Sequence, residues 1–294
     1  MFNWLLEPLG FEFMRNAIAT AILLGILSAV VGSYLILQQM SMIGAVISHA
    51  VVPGLSIAFF WEINLLTGAF IAGILSALVV AGIHTRSRVK VDAAMALTLS
   101  SFLALGVILI TILKTNQLDL SNILFGDILG VRPEDVWRTL LITAIILLLT
   151  KLFYKELLFY TFDPLGAQAS GLPVKAMYFA LICAITLTIV ASMQTVGVLL
   201  VLALLVGPAT TAYLLVKELH QMMGLGTVLG IISGVSGMYL SYHFDLPSGP
   251  TIVLIIFGFF FLALLFSPTQ GILTEPEIVR WTLRRWQQFK QFRR

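Results

Sequence analysis

Residues 16–48, 176–216 and 246–274 each run on without an Asp, Glu, Lys, Arg or His. A bilayer-spanning helix needs about 20 mostly apolar residues, because the hydrocarbon is about 30 Å thick and each residue rises about 1.5 Å. The first two runs are too long for one span. In lipid every backbone amide must be satisfied internally, which leaves helices or closed barrels. Continuous apolar runs, rather than alternating ten-residue segments, select helices. The expected fold class is therefore an all-α polytopic membrane protein. Composition agrees, with 59% hydrophobic and 11% charged residues where a soluble domain carries about 25% charged.

Hydropathy and chain breakers together place helices near 16–37, 42–60, 65–84, 93–113 and 137–154. The run 176–216 splits at the polar cluster Ser192, Met193, Gln194, Thr195 into two helices joined by a tight turn, and two more follow at 222–242 and 250–267. That makes about nine spans, within a range of eight to ten. Lys and Arg favour the cytoplasmic side of a membrane. With the Arg86, Arg88, Lys90 loop in the cytoplasm, nine spans put the N-terminus outside and the C-terminus inside. Thirteen basic residues then fall on the cytoplasmic side, and Arg15, Lys114, Arg132 and Arg138 fall outside. Residues 1–274 form the membrane domain in this reading. The external segments carry Glu7, Glu12, Glu62, Asp119, Asp127, Glu134, Asp135 and Asp245, an excess of acid that favours approaching cations. No basic leader with a small-residue cleavage site opens the chain, so no cleaved signal peptide is expected.

Two cytoplasmic segments have their own outlines. In 162–173, Asp163 suits an N-cap, Pro164 the first helical position, Gly171 the C-terminal stop, and Pro173 lies beyond it. A short capped helix between two spans, including Leu165 and Gly166, is the form of a docking element. In 275–294, Ile278, Trp281, Trp286, Phe289 and Phe292 gather on one side of a helical wheel with Arg and Lys mostly elsewhere. This basic amphipathic tail is expected to lie on anionic membrane lipid.

His49 is the ionisable side chain that falls well inside a span. Such groups are costly at membrane depth and face a bundle interior or a wet pathway; neutral imidazole also ligates divalent transition metals. From spacing alone His49 is either a substrate contact or a structural histidine bonded to a neighbouring helix. Ser48 and Pro53 beside it, and Pro208 after Gly207, are candidate pathway or gate residues, with Pro208 expected to kink the seventh span. Asp127 either attracts a cation at the external mouth or caps a turn after Gly126. Cys183, the single cysteine, excludes an intrachain disulfide and a thiolate metal cluster.

The stretch 40–54, with Ser-His-Ala followed by Pro-Gly, resembles the second-span signature of the manganese/zinc-type ATP-binding-cassette permeases. Residues 123–129 (Ile-Leu-Phe-Gly-Asp-Ile-Leu), 163–173, 194–212 and 245–250 agree with that family in the same order. The resemblance implies a type II importer-like permease working as a homodimer, with two separate ATPase subunits on the cytoplasmic face and an extracytoplasmic metal-binding protein outside. Mn2+ or Zn2+ would be cargo, with no permanently bound cofactor and no nucleic-acid partner. The 163–173 element would be the family's coupling helix, carrying ATPase closure into the membrane. This chain has no Gly-x-x-x-x-Gly-Lys-Ser/Thr loop, so it is not expected to be the ATPase or any other enzyme. The family's second span usually carries Asp-x-x-x-His; here His49 matches the histidine and Ala45 stands at the aspartate position. The competing functions are a permease for a siderophore or cobalamin and an ion-coupled secondary transporter. The latter leads one to expect paired carboxylates or broken helices at the midplane.

Overall fold

The computed structural model describes residues 7–114, 126, 128–267 and 271. Its helices are α1 (Glu12–Leu37), α2 (Ile43–Phe60), α3 (Leu65–Arg86), α4 (Val91–Ile112), α5 (Pro133–Leu152), α6 (Tyr154–Phe162), α7 (Pro164–Ala169), α8 (Val174–Leu215), α9 (Leu219–Phe244) and α10 (Ser248–Phe266). Among the described residues eight segments are long and apolar enough to span on their own, α8 supplying two of them. The pair α5 and α6 meets at a bend of 73° and passes the same test jointly. The expected tail at 275–294 and Asp127 lie outside the described residues.

Lipid tails are as apolar as leucine, so helices in a membrane associate through close packing rather than hydrophobic burial. The glycines here do this work. A methyl on Gly54 would collide with the Gly68 carbonyl, and one on Gly68 with the Gly54 carbonyl, so α2 and α3 touch backbone to backbone. Gly25 of α1 and Gly230 of α9 meet in the same way, and Gly32 lies on the Leu205 carbonyl of α8. Backbone approaches this close permit Cα–H to carbonyl contacts, worth about 0.5–1 kcal/mol each. The result is a central α1, buried along most of its length between α9, α8 and α5.

The contacts sort the connections onto two faces. On the first, Asn16 Nδ2 donates to the Val131 carbonyl at 3.5 Å, Phe11 stacks near Tyr242 with centroids 6.2 Å apart, and Gly126 lies on the backbone of Val196 and Gly197. On the second, Ile36 and Leu37 pack with Ala209, Ala212 and Met222, Tyr34 shares a cavity with Phe153 and Met177, and the Ser267 hydroxyl donates to the Leu214 carbonyl. Helix α5 starts at the first face and ends at the second, so counting the bent pair α5 and α6 as one span brings the described residues to nine candidate spans. The loops 87–90, 153–173 and 216–218 share the second face with most of the described Lys and Arg, as the sequence alternation requires.

Both ends of α8 lie on that second face. Met177 shares the cavity of Tyr34, and Ala209 is against Gly32; a straight helix would hold Met177 and Ala209 about 48 Å apart. α8 is therefore a hairpin, as the sequence leads one to expect: its two spans, Val174–Met193 and Thr195–Leu215, divide at Gln194 inside the polar cluster 192–195, and the residue with non-helical backbone just beyond is Gly197, at φ 76° and ψ 159°. Hydroxyls of the cluster bond back to the chain before them: Ser192 Oγ donates to the Thr188 carbonyl at 2.6 Å and Thr195 Oγ1 to the Ser192 carbonyl at 2.9 Å. Pro208 lies inside the second span of α8, and the non-helical residue in Val174–Leu215 is Gly197. The fixed φ of proline matches a helix, and the carbonyl it deprives is that of Leu204, in a segment held by α1 and α10.

Candidate metal pathway and coupling helix

His49 stands near the middle of α2, the helix that packs on α3, α4 and α8. Small residues again set the distances. Gly106 of α4 fits against Val52 and Pro53, Gly44 of α2 against Leu202 and Leu205 of α8, and Gly73 of α3 against Ile47 and Thr186. These contacts bury nearly every position of α2 from Ile43 to Ala58; Ala45 and His49, one turn apart, are among the three that stay partly open. Residues four apart share a helix face. The stripe that would carry Asp-x-x-x-His is thus the incompletely covered stripe of the helix.

Four polar groups on α2 and α8 stand out around this part of α2. Its imidazole is half-buried and makes no hydrogen bond among the described residues, so the reading of a structural histidine tied to a neighbouring helix has no bond to support it. Pro53, inside α2, has no N–H to return to the His49 carbonyl one turn earlier, which leaves that oxygen short of its helical donor. Ser48 is 1% exposed, and its Oγ has no partner among the described residues. Thr186 Oγ1, on α8 beside Gly73 and Ile47, is in the same condition. Buried polar groups are normally satisfied, so these unbonded groups on α2 and α8 are a candidate track for water or a cation. Sequence reasoning missed Thr186, since nothing in the sequence separates its hydroxyl from those of Ser33, Ser56 and Thr98, which bond back to their own helices.

Among the described residues no three His, Cys, Asp or Glu side chains come close enough to hold a metal ion. At the first face, Gly126 takes φ 62° and lies on the Gly197 backbone, and with Leu129 it walls a crevice against Leu246, Pro247, Ser248, Gly249 and Pro250. Pro208 is buried away from this track, its carbonyl near Gly226 of α9.

The capped helix expected at 163–173 is present as α7. The Asp163 carboxylate accepts from the Gly166 amide at 2.8 Å, and Pro164 occupies the first turn. Gly166 has no side chain where the Asp163 carboxylate sits, so the cap and the glycine require each other. At the other end Gly171 adopts φ 84°, its amide donating to the Gln168 carbonyl at 3.1 Å and that of Leu172 to Ala167 at 3.0 Å. That bond pair is a Schellman closure. Leu165 projects outward, 80% exposed, while Ala167 is buried against the bundle. α7 thus presents one exposed large apolar side chain, Leu165, at the second face.

The model of the ABC 3 transport family matches residues 10–267, nearly all of the membrane-spanning chain. This chain belongs to that family. The manganese transport system membrane protein MntC of Listeria monocytogenes is 44% identical over 263 residues, covering 90% of this chain and 94% of that protein. A probable iron transport system membrane protein of Haemophilus influenzae is 42% identical over 267 residues, covering 91% and 98%. Among solved structures, PsaBC from Streptococcus pneumoniae in complex with Fab superposes with a TM-score of 0.82 at 40% identity, over 91% of this chain and 96% of that one. The ABC 3 chain described here is therefore a multi-pass transport permease, and the fold and family expected from its sequence hold.

Proposed function

We propose that this chain is the permease of an ATP-driven importer of divalent metal, with manganese the first cargo and iron or zinc the next. His49 carries the reading: an imidazole free of hydrogen bonds among the described residues, at mid-membrane, on the uncovered stripe of α2. In the working transporter two copies would bring their α2 stripes to a shared pathway, since the described residues of one chain hold no ligand set for a closed site. The His49 imidazole and the oxygens of Ser48 and the His49 backbone would replace part of the ion's water shell. With Ala45 in place of a carboxylate, such a site holds no fixed negative charge of its own, which favours release over retention. Asp127, next to Gly126, would add attraction at the outer mouth.

The basic second face would be cytoplasmic, placing the N-terminus outside and the C-terminus inside a bacterial plasma membrane. α7 would then seat Leu165 in a separate ATPase subunit, one per permease, while an extracytoplasmic metal-binding protein delivers cargo to the first face. ATP binding and hydrolysis would move the two α7 elements and open the pathway to one side at a time. The relatives named for manganese and iron support the cargo class. The test is radioactive manganese uptake in proteoliposomes holding this chain with its ATPase and binding protein, wild type against His49→Ala. Uptake falling at least tenfold while the complex assembles and hydrolyses ATP is the expected result. Undiminished uptake would make His49 a packing residue, and uptake without any ATPase would overturn the importer reading.

A further inference from the structure

A crevice of about 450 Å³ opens between α1, α5, α6 and the first half of α8, at the second-face end of the membrane. Its walls are almost wholly apolar, including Leu149, Phe153, Met177 and Ala180. It lies apart from the α2 stripe, because α5 packs on α1 and α8. Two of its apolar lining residues, Leu149 and Phe153, are each 48% exposed, so the crevice opens on the outer, apolar surface of the bundle. At its back is Tyr34, 2% exposed, whose hydroxyl has no partner among the described residues. A buried hydroxyl without a partner costs about 1–3 kcal/mol, which an acceptor entering the crevice would remove.

Tyr34 lies one turn before the end of α1, the depth at which hydrocarbon gives way to the polar layer. A lipid places its ester carbonyls at that depth, directly above its tails. The mouth carries both signs of charge nearby: Glu156 lines it, and the exposed Lys151, Lys155 and Lys175 are each the sequence neighbour of a lining residue. We propose that this crevice binds one glycerophospholipid of the leaflet on the α7 side, an acyl chain filling the groove, an ester carbonyl accepting from the Tyr34 hydroxyl, and the phosphate among the three lysines. The lipid would wedge between α5 and α8, the two helices that flank α6 and α7, and so brace the coupling element against the bundle. The assignment is independent of the cargo.

The purified chain, reconstituted in phosphatidylethanolamine and phosphatidylglycerol and then stripped with detergent, is to be analysed by native mass spectrometry. The wild type should retain one phospholipid per chain. Ala180→Trp fills the groove from an exposed position and should abolish that adduct. Tyr34→Phe removes only the hydroxyl and should lower retention about three- to tenfold, with no loss of thermal stability in the delipidated protein. Absence of a retained lipid, or equal retention by wild type and Ala180→Trp, would overturn the proposal. So would disulfide cross-linking of Ala180→Cys to a cysteine placed in residues 268–294 or in a second copy, which would assign the groove to protein.

Discussion

At φ 76° and ψ 159° Gly197 occupies backbone space that a side chain bars, and Gly126 lies against its nitrogen. An alanine at Gly197 is expected to cost about 1–3 kcal/mol, read as a lowered midpoint of thermal unfolding in detergent; an unchanged midpoint would mean this residue is not strained. Gly197 was hidden in the sequence because glycine is common in membrane helices, whereas the polar cluster 192–195 was legible as the place where the two spans divide. Polarity located the break between spans, and the backbone residue that departs from helix beside it needed coordinates. His49 was legible for the opposite reason: an ionisable group in an apolar run has no inexpensive local partner. The orphan hydroxyls of Ser48 and Thr186 needed coordinates, because the sequence does not say which hydroxyls bond to their own helix.

Among the elements, α7 was the most fully legible, because Asp163, Pro164 and Gly171 act through local geometry that spacing fixes. The apolar exposure of Leu165 needed the fold, which decides which side of six residues faces the bundle. Leu165→Asp should leave stability within about 0.5 kcal/mol of wild type, as at other exposed sites, yet sharply reduce recovery of the ATPase in co-purification. Full recovery would move the docking surface elsewhere. The bend at Phe153 was not legible. The expected span 137–154 is a helix from Pro133 to Leu152 that turns by 73° into α6. Its start is set by Asp135, whose carboxylate accepts from the Arg132 amide at 3.3 Å, a cap that hydropathy does not register.

Across the whole molecule, alternation of spans and clustering of Lys and Arg anticipated the two faces that the contacts display, because charge and membrane crossing obey a single constraint. Orientation follows by accessibility. In a Cys183→Ser background, Ile63→Cys should react with a membrane-impermeant maleimide added to intact spheroplasts, and Lys217→Cys should react only after lysis. The reverse pattern would invert the protein. The lateral arrangement of helices was not legible, since it depends on which glycines meet which backbones, as at Gly54 and Gly68, and a sequence carries no partner label for a glycine. The hairpin within α8 bears on biogenesis. Its two spans, Val174–Met193 and Thr195–Leu215, are joined with no long hydrophilic linker to be parked across the membrane between them, so they are expected to leave the insertion machinery together, as a preformed pair.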